Sequence, residues 1–500
     1  MKYWLAVLFW TAAPALFGAE WIKMNSANFE LYTSSTEAEG RQTLEMFEKT
    51  RDFFLRVKAS TVVSQLPVTL VLFDSAKEYR PYSPRANAPA FFVGDEERDY
   101  IVMSDPGEQR SRFAVHEYVH VLVRHSGLKL PVWLNEGMAD VYSTMQVDNG
   151  RISLGAMPKD RIYSLTHDSW MRLPALVRIT HQSPAYNEDN RIGIFYAQSW
   201  LLAHMLMLGD GYADKFPKLL ERISEADSSQ TALADVYGKG LAEIERDANV
   251  YFRTTIGGSS YKSELQSGNI GPAKAAPEQE VGVTLANVLA LNGKVAEAAK
   301  QLEELSAKFP SSWEIEEMLA YLNWRKGDNE AALGKFKLAF EHGATGWKTY
   351  WDYARLLAAS GGDRRLRLEA AQKALASKPD LDLARLMVGQ EFYAMGKHAE
   401  ALAELRQVKD VDPRLAARMY LMMGNAAIEL QQENDARQFA DKAKKVAKAP
   451  DEVAGVEALF NRLQGNRATP SDPPSSTTDD DPQRPILRRR PPPAPSKKGR

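Results

Sequence analysis

Along roughly the first hundred residues several apolar stretches are short runs; beyond them apolar residues mostly recur with the 3.6-residue period of helices. Asn28–Thr33 and Val68–Phe73 are short, apolar and β-branched, which predicts strands, and the pattern between them from Thr36 to Val57 predicts a helix. Tyr100–Met103 reads as a third strand, either at a sheet edge or buried in the centre, and the charged run Asp95–Asp99 beside it reads as a solvated turn. From Arg110 onward helical patterns dominate. Residues 20–256 are therefore expected to form an α+β domain.

Residues 281–465 carry a repeat. Gly293, Gly327, Gly361 and Gly396 are spaced 34, 34 and 35 residues apart, each between two amphipathic helical patterns. Ala298, Ala332, Ala401 and Ala436 follow the turn positions, and Pro310, Pro379 and Pro413 mark unit ends. A small Ala lets two helices approach, and Gly supplies a turn that a side chain would hinder. A helix–turn–helix unit of this length and pattern resembles the tetratricopeptide repeat. The second unit fits best, with Leu319, Gly327, Ala332, Phe336 and Ala339; the third departs, with Gly361-Gly362-Asp363 and Leu366 where Ala is expected. About five units are expected, the first and last degenerate as end caps. Residues 257–280, rich in Gly, Ser, Pro and Ala, read as a linker or a loosely packed boundary.

The two ends have other chemistry. Lys2, an apolar stretch to about Ala15 and then small residues give the order of a secretory signal peptide over residues 1–19, with an uncleaved anchor as the alternative. Residues 466–500 are crowded with Pro, Ser and charge and are expected to be disordered, ending in a basic cluster from Arg488 to Arg500. That end is either a solvated tail or an electrostatic tether to an anionic envelope surface. The mature protein is thus expected to be secreted or periplasmic, and no apolar run reaches the ~20 residues of a membrane-spanning helix. Net charge is −2, from 63 basic and 65 acidic residues, so no broad field favours nucleic acid. With no cysteine in 500 residues, any metal site must be built from His, Asp and Glu.

His116-Glu117-Tyr118-Val119-His120 lies in a helical pattern. At ~100° per residue the two imidazoles are ~40° apart, so both can reach one ion, and Glu117 lies ~60° from His120, close enough to hold a water. The pattern alone is weak. Sixteen residues after His120 comes Glu136, with Asp140 four further on the same helical face. The spacing suits Glu136 as third ligand and Asp140 as the acceptor that orients a ligating His, with one position left open. His125 lies ~180° round the helix from His116, and Val123 and Ser126 break the metzincin pattern. His167, His181 and His204 have no partner at ligand spacing.

HExxH followed by Asn135-Glu136 and Ala139-Asp140 resembles the gluzincins, the thermolysin-like branch of zinc metallopeptidases, and the string HEYVH…LPVWLNEGMAD looks like its peptidase MA-like members. The resemblance covers roughly residues 20–256. It implies a zincin-like fold, zinc as cofactor, His116, His120 and Glu136 as ligands, Glu117 as general base and Asp140 behind a ligand. The short spacing between the motifs departs from that branch and leaves less room for a binding loop. The segment Phe195–Trp200 is similar to one that follows the metal motifs in MA-like proteins. Tyr196 there is either an oxyanion donor or a packed core tyrosine.

The chain is therefore expected to be an α+β zincin-like metallopeptidase domain followed by an all-α tetratricopeptide-like array. Its expected activity is peptide-bond hydrolysis with a zinc-activated water, the repeats holding a peptide or protein substrate or a protein partner. The alternative is a non-proteolytic envelope scaffold whose repeats bind a partner and whose zinc is structural. Hydrolysis of another bond would use the same ligands.

Overall fold

The computed structural model describes residues 20–56, 67–84, 88–95, 98–104, 110–148, 151–183, 189–254, 256–262 and 269–465. The expected signal peptide and basic tail lie outside the described residues. The chain divides into two compact units, residues 1–298 and 299–500.

In the first unit, β1 (Ile22–Asn25) and β2 (Phe29–Thr33) form a hairpin, and α1 (Glu37–Arg56) leads to β3 (Val68–Phe73), parallel to β2 and followed by the short α2 (Ala76–Tyr79). β4 (Ala90–Gly94) and β5 (Asp99–Ser104) pair antiparallel, with β5 running parallel to β3. With β9 (Lys274–Ala275) they make a six-stranded sheet in the order β4-β5-β3-β2-β1-β9. All six residues of β3 are buried because both faces of the sheet are covered. Leu70 and Leu72 point into a core with Phe47 of α1 and Val115 and Val119 of α3 (Arg110–His125). On the other face Phe73 stacks on Tyr82 and meets Trp21 edge-on.

Tyr100–Met103 is therefore central, between β4 and β3, and the sheet edge beside the metal-motif helix is β4. The expected solvated turn is also revised at its end. Asp99 is wholly buried, and its carboxylate accepts from Arg124 and from the His125 ring. A buried carboxylate needs such partners, and these stand a helix away in sequence.

Helices complete the unit: α4 (Val132–Tyr142), α5 (Lys159–His167), α6 (Leu173–Leu176), α7 (Asp189–Leu208), α8 (Phe216–Glu225), α9 (Ser229–Tyr237) and α10 (Leu241–Thr254). A second sheet joins β6 (Gln146–Asp148), β7 (Arg151–Leu154) and β8 (Ser259–Lys262). Both β8 and β9 come from the stretch expected to be a linker. They extend the two sheets through backbone pairing, which a Gly- and Ser-rich composition does not advertise. The first helix of the expected array, α11 (Glu278–Leu291), also belongs to this unit. Asn287 donates to Tyr100 Oη at 2.8 Å, Glu280 takes the Lys23 ammonium at 3.0 Å, and Asn292 donates to the Tyr82 carbonyl at 2.9 Å.

The helix α12 (Val295–Lys308) spans the boundary between the units. Beyond it, four helical hairpins follow in the second unit. They are α13 (Trp313–Lys326) with α14 (Asn329–Glu341), α15 (Trp347–Ala359) with α16 (Arg364–Ser377), α17 (Asp382–Ala394) with α18 (His398–Leu405), and α19 (Pro413–Glu429) with α20 (Glu433–Val446). A single helix, α21 (Pro450–Leu463), closes the array. Gly327 ends α13 in the left-handed region at φ 84°, and Gln431 holds the same place after α19 at φ 60°. Ala332, Ala401 and Ala436 are fully buried. In the departing third unit Asp363 caps α16 through Arg365 N and Leu366 N, and Ala370 and Ala371 take the buried positions.

Candidate functional site

Helix α3 places Arg112, His116 and His120 at intervals of four, one above another on one face. Helix α4 packs beside it, almost entirely buried. Its Gly137 lets α7 come close: a Cβ there would lie 2.3 Å from the Ser199 carbonyl oxygen. Trp133 anchors the start of α4, its indole N–H donating to Ser229 Oγ at 3.1 Å.

Glu136 Oε2 stands 3.3 Å from His116 Nε2 and 3.7 Å from His120 Nε2. Among the described residues these three form one group able to hold a metal ion, their ligand atoms all within 4.8 Å of one another. Ligands at ~2.1 Å from a tetrahedral ion are about 3.4 Å apart, close to the separations found here. Behind the group, His116 Nδ1 donates to Asp140 Oδ1 at 3.0 Å, which fixes the tautomer and aims Nε2 at Glu136. The buried Nδ1 of His120 and Oδ1 of Asn135 have no hydrogen-bond partner among the described residues. The donor set, two nitrogens and a carboxylate with a carboxylate behind, fits zinc.

Electrostatics favour a cation. Burial opposes charge on His116, but the hydrogen bonds and charges of Asp140 and Glu136 prevail and hold the imidazolium up to about 10. Burial would raise Glu136 and Asp140, yet both stay below the usual carboxylate range, Glu136 through the two histidines and Asp140 through Arg161 and His116. A divalent cation held by these residues would compete with the His116 proton.

Glu117 sits at the sheet edge, its Oε2 accepting the Phe92 N–H of β4 at 3.0 Å. Tyr196, half-buried on α7, lies under the Arg161 guanidinium, 5.1 Å from its ring centroid. The structure thus brings together His116, His120, Glu136 and Asp140, sets Glu117 against β4, and links Tyr196 to the group through Arg161. Gln198, two residues after Tyr196, exchanges hydrogen bonds of 2.8 and 2.9 Å with the Met171 backbone and holds that segment. The remaining histidines stand apart. His125 is tied to Asp99, His204 is buried against Tyr251 and Gly155, and His167 is exposed and stacked on Tyr163. Arg161 and Phe92 carry no motif that would single them out.

The tetratricopeptide repeat family matches two stretches, residues 283–342 and 386–453. The C-terminal region is therefore a tetratricopeptide repeat array, an all-helical module for binding proteins or peptides. No curated protein matches the chain. Among solved structures, similarity is found to YrrB, described as a TPR protein with an unusual peptide-binding site, at 19% identity over 36% of this chain and 90% of that one, with a TM-score of 0.31. PilF of Pseudomonas aeruginosa is similar at 15% identity over 38% of this chain and 85% of its own, TM-score 0.28. MamA of Desulfovibrio magneticus RS-1 is similar at 14% over 33% and 93%, TM-score 0.28.

Proposed function

We propose that this protein is an exported zinc-dependent metallopeptidase whose repeats hold a protein substrate or partner. One observation carries the reading: His116, His120 and Glu136 converge, Asp140 orients a ligand from behind, and Glu117 stands beside a sheet edge. The resemblance of these motifs to the gluzincins supports it. A bound zinc ion would supply Lewis acidity, polarising a carbonyl and acidifying water. Glu117 takes the proton of the attacking water and returns it to the leaving amine. The Phe92 N–H holds the Glu117 carboxylate in place until water competes for it. Tyr196 offers a phenolic hydrogen to the oxyanion. β4 ends the sheet and offers an extended backbone for a substrate strand to pair with.

The repeat family match favours a second reading, a scaffold in which the repeats do the work and zinc is structural. Digestion of a broad peptide library with and without a chelator separates the two. Under the first reading Glu117→Gln keeps the metal and lowers cleavage by ~100-fold or more. Cleavage equal to wild type ends this mechanism. A zinc-loaded wild type that cuts nothing leaves the scaffold.

A further inference from the structure

Behind the candidate site, His116 and Asp140 belong to a circuit of charged side chains that the motif residues only partly account for. Arg161 of α5 grips Asp140 with two nitrogens, Nε to Oδ2 at 2.6 Å and Nη2 to Oδ1 at 3.2 Å. Its remaining terminal nitrogen, Nη1, reaches Asp160 Oδ2 at 2.9 Å. Asp160 is held in turn by both terminal nitrogens of Arg112, at 2.9 and 3.3 Å. Arg112 lies one helical turn before His116, and His116 donates to Asp140. The circuit leaves α3 at Arg112, passes through α5 and α4, and returns to α3 at His116.

We propose that Arg161 is a positioning residue of the cation site, fixing the Asp140 carboxylate and through it the His116 ring. The inference rests on the metal reading above. A guanidinium so close to a divalent ion opposes its binding, so beyond pairing with Asp140 and Asp160 charge gives no reason for it to be there. Geometry does: a two-pronged grip on a carboxylate fixes its plane, which a lysine cannot do. Asp140 Oδ1 then points one lone pair at His116 Nδ1 and holds the ring with Nε2 facing Glu136. The same guanidinium covers the face of Tyr196 and so registers α7 against the site.

The two roles give opposite signs. A bystander charge, once removed, lets zinc bind more tightly; a positioning group, once removed, weakens binding. The test titrates zinc into metal-free full-length protein against a chromophoric chelator, for wild type, Arg161→Met, Arg161→Lys and Asp160→Asn. The visible spectrum of the cobalt-loaded forms and the melting of the metal-free forms are recorded alongside. Both Arg161 variants should lose ~10-fold or more in zinc affinity, with lysine failing to rescue. The cobalt bands should shift, and metal-free melting should fall in both Arg161 variants because the buried Asp140 loses a partner. Asp160 is half-exposed, so Asp160→Asn loosens the circuit with little threat to folding and should give a smaller loss in the same direction. Unchanged or tighter zinc binding in the variants that fold overturns the role of Arg161, as does full rescue by lysine. A wild type that takes up no zinc overturns the metal reading itself.

Discussion

In the repeat array each helix meets the next one in sequence, and the turn between them is set within a few residues, as at Gly327 and Asp328. At the candidate metal site His116 meets Asp140 across 24 positions, and Arg161 reaches back 21 positions to the same carboxylate. One region is a stack of near-neighbour contacts whose energy is spread along the chain. The other concentrates burial, charge and close helix approach in a few side chains brought from α3, α4, α5 and α7. A change in the array should therefore be felt locally and weakly, and the same change at the site strongly and at a distance.

Two glycines test that contrast most directly. At Gly137 a Cβ meets the Ser199 carbonyl at 2.3 Å and Ala203 Cβ at 2.7 Å, so Gly137→Ala must push α7 from α4. We expect a loss of about 3 kcal/mol in unfolding free energy, with zinc affinity falling as Glu136 and Asp140 shift. At Gly327 a Cβ meets nothing within 4 Å and only the left-handed φ of 84° is strained, so Gly327→Ala should cost about 1 kcal/mol and leave zinc binding unchanged. Chemical denaturation with zinc titration checks both. Equal losses at the two positions would remove the distinction.

The contrast also explains what could be read in the chain beforehand. The array declares itself because its period is written in Gly, Ala and Pro at fixed intervals, and the buried Ala332, Ala401 and Ala436 obey it. His116, Glu117 and His120 are legible as a pattern because they share one helix, and Glu136 and Asp140 because they share another. Arg161 and Phe92 are not, because nothing local separates an arginine on α5 or a strand amide from any other. The same blindness hides Asp99, which looks solvated among charges and is buried by partners 25 and 26 residues on. The strands inside residues 257–280 escape for a related reason: β8 and β9 are recruited by the sheets they join.

A pH experiment probes the long-range core with a smaller effect. His204 is fully buried, accepting from Tyr251 Oη at 2.8 Å and donating to the Gly155 carbonyl at 2.9 Å. Burial lowers its pKa, with the Gly155 hydrogen bond opposing only in part. The unfolded chain therefore takes the proton more readily. Its contribution to stability is complete above the unfolded value of about 6.5 and is lost as pH falls towards the folded value, at up to ~1.4 kcal/mol per pH unit. His204→Gln should flatten that part of the curve measured on zinc-free protein. A wild-type slope unchanged by the substitution would show that other groups set it.

The smallest effect is the most pointed test of the array. Gln431 stands where Gly327 and Gly396 stand in earlier hairpins and is the one non-glycine at positive φ among the described residues. A left-handed conformation costs an L side chain about 1–2 kcal/mol, whereas glycine adopts it freely. Glycine also leaves the unfolded chain more freedom, which takes back about 0.4–1 kcal/mol. Gln431→Gly should therefore stabilise the last hairpin by roughly 0.5 kcal/mol, seen as slower amide exchange in α19 and α20 with no change in zinc affinity. If near-neighbour coupling governs the array, protection should rise most in these two helices and α21 and fade towards α13. A gain spread evenly across α13 to α21 would mean that the array opens as one cooperative body, and the contrast with the candidate site would then lie in chemistry alone.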